Sequence, residues 1–321
     1  IADGRTQSLN SFEELEQVFS ELITDYDRAR KQIEESVPAI KSKLITDILM
    51  GYITNYQDVA RHLKLLNISL NPTNFIVMVA EVDEWSSLSK NLELEELYYY
   101  IRRINSIIEE IVNENFKGAA VDFNEKELAI LVSFEGDNST FAVDVSIALA
   151  HKIQKQVQEE LRLTISVGIG SFYYDIANVK KSFHEAKEAL KYKILMGHNS
   201  VICIDDILLY NERELYGLFS SINSIALAIK MADMQEVDIR LTKLFDEVIE
   251  KSLPPDFIKQ LGVQLVIEGI QAALDTGLDM GNILDGDSHN VYQMLRFCET
   301  VDQIKEYIEE LFMKFTERIR E

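Results

Sequence analysis

The stretch GAAVDFNEKELAILVSF, Gly118–Phe134, decides the fold, read together with FIVMVAEVDEW, Phe75–Trp85. In the first, two β-patterned runs, Ala119–Phe123 and Glu127–Phe134, meet at a polar tip, Asn124-Glu125-Lys126-Glu127. That is a hairpin. The second is a buried strand, Phe75–Val82, which ends in the acids Glu81, Asp83 and Glu84.

Outward from this pair the pattern is mixed. Leu92–Asn115 reads as a helix with Leu94, Leu97, Ile101, Ile104, Ile108 and Ile111 on one face. After the hairpin come a helix, Thr140–Leu161, and a strand, Leu163–Gly170, whose TISVGIG alternates small and β-branched residues. A further helix, Val179–Leu195, is capped by Gly197 and leads into a last short strand, Val201–Ile204. The order β-α-β-β-α-β-α-β places helices over one central, largely antiparallel sheet. From Glu212 onward the pattern is helical throughout: Glu212–Met231, Gln235–Lys251, Asp256–Asp275 and Val301–Arg320, broken at Pro254-Pro255 and Gly277.

At the other end, Phe12, Leu15, Phe19, Leu22, Tyr26, Ala29 and Ile33 recur at alternating spacings of three and four, the seam of a left-handed coiled coil. Ser11 and Glu14 form its capping box. The same spacing fits an amphipathic helix packed on its own domain. The seam precedes any core it could pack on, which favours a dimer interface through Phe12, Leu15, Phe19, Leu22, Tyr26 and Ile33. Pro38–Met50 continues helical to Gly51.

The fold class is therefore α+β: an N-terminal coiled-coil helix (residues 1–50), a mixed β-sheet with flanking helices (51–209) and a C-terminal all-helical segment (210–321). With 321 residues and 47% hydrophobic content, each folded part can bury a core. The formal charge is −22, from 54 acidic and 32 basic residues, and no stretch supplies a basic patch, so the chain is not expected to bind nucleic acid unaided. Its apolar runs are strand-length, so no membrane contact is expected within it. Cys203 and Cys298, both in apolar settings, read as buried thiols of a reducing cytoplasm. Of the five histidines, His184 stands four residues before Glu188 on a helix, which reads as a solvated helix contact, and no metal or cofactor is expected. A first residue other than methionine and an end inside a charged helical pattern suggest a fragment of something longer.

Four places, in order, resemble the GGDEF family, the diguanylate cyclase fold, over roughly residues 72–207. EVDEW, residues 81–85, matches the family's D-x-D-x-F, with Trp85 at the aromatic position. Asn124-Glu125-Lys126-Glu127-Leu128 stands where G-G-D/E-E-F belongs. SVGIG, residues 166–170, and EALKYKILMGHNSV, residues 188–201, match the two later motifs. The resemblance implies a cyclase-like mixed sheet and a site built from Glu81, Asp83, Asn124, Glu125, Lys126 and Glu127. It also implies departures from the chemistry. Two GTP molecules are condensed with divalent metal help in that family, and the metal needs the first acid of D-x-D and the third-position acid of the signature. Glu81 keeps the first, but Lys126 replaces the second, and an ammonium cannot donate electrons to a hard cation. Asn124 and Glu125 replace the two glycines, and Asn115-Phe116-Lys117-Gly118 stands where the product-inhibition motif R-x-x-D belongs.

Residues 37–51, 182–193 and 226–245 resemble the AraC-type regulators that carry a degenerate cyclase-like domain ahead of a helix-turn-helix pair. This implies a non-catalytic cytoplasmic signalling and dimerisation region, a homodimer touching DNA only through a C-terminal module outside this chain. The parent is then either wholly cytoplasmic or anchored through a membrane sensor, and any small-molecule effector is unidentified. Two rivals stand beside it: a nucleotide- or metabolite-binding module using the cleft, with Lys126 on a phosphate, and an active diguanylate cyclase.

Overall fold

The computed structural model describes residues 22, 37–207, 216–279 and 290–320. Of the expected coiled-coil seam, Phe12, Leu15, Phe19, Tyr26, Ala29 and Ile33 lie outside the described residues, and Leu22 is helical and exposed.

The strand read from Phe75 is β1 (Phe75–Val82), and it lies at the centre of a five-stranded sheet. The other strands are β2 (Lys117–Asp122), β3 (Glu127–Ser133), β4 (Ile165–Ile169) and β5 (Val201–Cys203), in the order β2-β3-β1-β4-β5. β1 runs antiparallel to β3 and β4, and β2 antiparallel to β3. β4 and β5 are parallel, because the chain between them crosses over through helices and does not turn back as a hairpin. The sheet is therefore mixed.

Both faces of β1 are covered, which is why it reads as an unbroken apolar run. Ile76, Met78, Ala80 and Val82 pack against α4 (Leu94–Asn113) and α5 (Ser139–Leu161). Phe75, Val77 and Val79 pack on the other side against α1 (residues 37–49), α2 (Tyr56–Leu65) and α6 (Val179–Lys191). Ile45, Ile48 and Leu49 thus join the sheet's core, although the sequence reading grouped them with the N-terminal helix. Gly51, at φ +76°, takes the left-handed turn that ends α1.

Several boundaries move. A short helix, α3 (Trp85–Asn91), precedes α4, and Glu93 and Glu96 form a reciprocal capping box that starts α4 at Leu94. Leu94 is consequently 66% exposed, off the core face on which the periodicity placed it. The expected helix Val179–Leu195 divides at Tyr192 into α6 and α7 (Lys193–Met196), and Gly197 at φ +81° closes it.

The C-terminal part is α8 (Tyr216–Lys230), α9 (Met234–Glu250), α10 (Pro255–Asp275), α11 (Asn290–Phe297) and α12 (Val301–Arg320). Pro255 occupies the first turn of α10, where its missing N–H costs nothing. Ile222, Leu241, Phe245, Leu265, Phe312 and Phe315 build a core of their own. Ile194 of α7 is buried in that core, so the last turn before Gly197 joins sheet and helices. No helix among the described residues is long and apolar enough to cross a membrane.

Candidate functional site

The ladder itself brings the predicted residues together. Glu81, near the end of β1, registers opposite Glu127 on β3 and Ser166 on β4. The hairpin tip is organised by Asn124 and needs no glycine, since residues 124–127 all keep negative φ. The Asn124 side-chain oxygen accepts from the backbone N–H of Lys126 (3.0 Å) and of Glu127 (2.9 Å). Its amide donates to the Glu127 carboxylate at 2.9 Å. This fixes Lys126 beside Glu81, with Nζ 3.1 Å from the carboxylate.

A second lysine is decisive. Lys193, the first residue of α7, is buried, and its Nζ lies 2.5 Å from Glu81, 3.4 Å from Asp83 and 2.8 Å from Glu299. Glu299 follows α11, so it comes from the helical segment; it also accepts the backbone N–H of Glu84 at 3.1 Å. Asp83 is buried and structural, accepting from the Ser166 hydroxyl (2.8 Å) and the Asn199 backbone N–H (2.9 Å). Glu127 is bound by Lys187 at 3.0 Å. Every acid of the cluster is thus engaged by an ammonium or by neutral donors.

Burial alone would push the Glu81 carboxyl up, but the ammoniums of Lys193 and Lys126 outweigh it and hold it below the usual carboxylate range. Burial would likewise push Lys193 down, and Glu81 and Glu299 instead raise it above an ordinary lysine. Glu81 therefore contributes stability that is present above the ordinary 4.5 and lost as pH falls through its depressed folded value. Lys193 contributes stability that is present below the ordinary 10.5 and lost as pH rises through its raised folded value. Urea unfolding should show a plateau between those limits and an acid-side fall that shrinks in Glu81→Gln; an unchanged acid limb in that variant would assign the loss to other groups.

Not all six predicted residues converge. Glu125 is exposed and lines a separate, largely apolar cleft of about 450 Å³ with Trp85, Leu94, Tyr98, Asp122 and Asn124. Local spacing also missed a three-dimensional group: Asp83, His198 and Glu299 offer ligand atoms within 4.8 Å of one another, a set that could hold a metal ion. Lys193 already places a positive charge between two of the three carboxylates it touches there, competing directly with a cation. Both cysteines are unbonded, and burial pushes their thiols up.

The contact between sheet and helices extends beyond Glu299. Lys90 of α3 stands over the Phe297 ring at 4.9 Å, and Lys191 lies 3.7 Å from Asp256 at the start of α10.

Residues 52–192 match the family model of the GGDEF-like domain, so that portion of the chain is GGDEF-like. The chain is 22% identical over 207 residues to YtdP of Bacillus subtilis (strain 168), an uncharacterized HTH-type transcriptional regulator. That stretch is 64% of this chain and only 26% of YtdP, so the chain spans about a quarter of that relative's length. Among solved structures, the active GGEEF domain of a diguanylate cyclase from Vibrio cholerae is similar at 13% identity and TM-score 0.33, covering 46% of this chain and 90% of that one. A bacterial light-regulated adenylyl cyclase matches at 14% identity and TM-score 0.36, over 57% of this chain and 55% of that one.

Proposed function

We propose that the chain is a non-catalytic signalling and dimerisation region of an AraC-type transcriptional regulator. In this reading the N-terminal coil pairs two chains, and the GGDEF-like portion passes a change in coil register or rotation to the helical segment. DNA is touched only through a module outside this chain, and the region works in the cytoplasm.

The observation that carries this reading is Lys193. Its ammonium joins Glu81 and Asp83, at the strand end where a cyclase would hold metal, to Glu299 of the helical segment. A side chain that fills the site with positive charge and couples it to the next folded unit suits a relay better than turnover. With GTP and Mg²⁺ or Mn²⁺, the expected result is no cyclic dinucleotide and no cyclic mononucleotide, from a chain that sediments as a dimer at micromolar concentration. Product in that assay would overturn the non-catalytic reading, and a monomer would overturn the dimerisation part.

A second reading, a small-molecule-binding module, is favoured by the cleft lined by Trp85, Tyr98, Asp122 and Asn124. Aromatic walls with a few convergent polar groups are the usual make-up of a ligand pocket.

A further inference from the structure

A cleft of about 390 Å³ opens between α3 of the GGDEF-like portion and α11 and α12 of the helical segment. The hairpin tip, α6 and α7 contribute no residue to its lining. Four carboxylates line it, and one of them, Glu299, is taken by Lys193. The other three, Glu84, Glu306 and Glu310, are exposed and make no ion pair among the described residues. Glu306 and Glu310 stand four apart on one face of α12, a like-charge pair that disfavours the helix unless a cation joins it.

The rest of the lining is apolar and aromatic. Met294, Phe297 and Tyr307 form a wall, and the Phe297 ring is 45% exposed. Burial, with Cys298 and Glu310 beside it, pushes the Tyr307 hydroxyl up to about 12, so that ring stays neutral. The chain itself shows what this wall accepts. The Lys90 ammonium, also without an ion pair among the described residues, stands over the Phe297 ring at 4.9 Å. Among the described residues of the lining it is the only cation. Acidic side chains alone would hold a diffuse cloud of counter-ions. The exposed ring adds a preference for an organic cation, because a hydrated metal ion keeps its water and gains little from a ring face.

We infer that this cleft binds a small organic amine, with its ammonium among Glu84, Glu306 and Glu310 and its apolar body against Phe297 and Tyr307. A volume of about 390 Å³ lies within the range of small-ligand pockets. Lys90 acts as an internal competitor, holding the ring face while the amine is absent. Because the two walls belong to different folded parts, the ligand bridges them. Binding itself does not depend on the relay reading; only that consequence does.

Calorimetry on the full chain near neutral pH, with phenethylamine and with spermidine in separate titrations, tests it. Saturable binding of one amine per chain is expected for at least one of them, weakened about fivefold or more in the double variant Glu306→Gln/Glu310→Gln. Both residues are exposed, so this variant should fold, and an unchanged melting temperature without ligand verifies that. Asp238→Asn/Glu250→Gln removes the same charge from exposed positions on α9, outside the cleft, and should leave binding unaltered. Lys90→Met removes the competing ammonium and should tighten binding about twofold or more. Tighter binding of phenethylamine identifies an aromatic amine as the ligand class, and tighter binding of spermidine a linear polyamine. The proposal is overturned by no saturable heat with either amine, or by equal affinity in wild type and the Glu306/Glu310 variant. An equal loss in the α9 variant, or no tightening in Lys90→Met, overturns it as well, while the turnover and sedimentation results stand apart from it.

Discussion

Lys193→Ala is expected to cost about 3–5 kcal/mol of unfolding free energy, the usual consequence of removing one partner from a buried ion pair. The side chain is only 6% exposed, so solvent cannot replace the ammonium at Glu81 and Glu299. Lys126 still holds Glu81 on its outer side, at 3.1 Å and a more exposed position. Glu299 has less to fall back on: the Glu84 N–H at 3.1 Å and His198 Nε2 at 3.4 Å. The loss should therefore be felt mostly across the contact between the sheet and the helices. Hydrogen exchange would read this as faster opening in α11 and the start of α12, with β1 and β3 less affected. A double-mutant cycle with Glu299→Ala should give a coupling within roughly 0.5–3 kcal/mol, since each single change already breaks the shared contact. Should Lys193→Ala unfold within about 1 kcal/mol of wild type, the buried ammonium would not be holding the two parts together.

Much of the sheet was legible because its instructions are local. The alternation in β1, with even residues on one helix layer and odd residues on the other, follows from pleat geometry. The hairpin was visible as two β-patterned runs around a polar tip, and Asn124 explains how that tip closes without glycine. The resemblance placed Glu81, Asp83, Lys126 and Glu127 in one site, where register and distance unite them.

What stayed hidden depends on long-range contact. Glu299 lies 106 residues from Lys193, inside a helical segment that carries no site-like motif of its own. Lys187, Lys191 and Lys193 all fall within the single helix expected over Val179–Leu195. Only the break at Tyr192 turns Lys193 inward, and no proline or glycine at that position announces it. His198 and Asp83 are likewise joined by the fold and not by spacing. Leu94 was misplaced for a different reason: periodicity identifies a face but not where a capping box will start the helix.

Gly168→Ala and Gly170→Ala should each destabilise by about 3 kcal/mol or more, at the upper end of overpacking effects, lowering the melting temperature by roughly 6–12 °C. The two glycines are two positions apart and so face the same side of the sheet, the side covered by α6. Opposite them α6 presents Ser182, Ala186 and Leu190, spaced by four along one helical row. A Cβ on Gly168 would lie 2.1 Å from the Ala186 carbonyl oxygen, and one on Gly170 2.0 Å from that of Ser182. Both obstacles are backbone, so no rotamer change can relieve them; the helix must move away by more than an ångström. That movement would strain the Ser182 hydroxyl's bond from the Val77 N–H, now 2.9 Å, and draw Lys187 away from Glu127. Gly136 supplies the contrast. It sits at φ +82° with nothing within 4 Å of a new Cβ, so Gly136→Ala meets conformational strain without collision, at a cost of about 1 kcal/mol. Thermal melts of the three variants should rank Gly168→Ala and Gly170→Ala well below Gly136→Ala. If the first two melted within a degree of wild type, the close approach of β4 and α6, and with it the placement of Lys187 and Lys193 on the site, would be wrong.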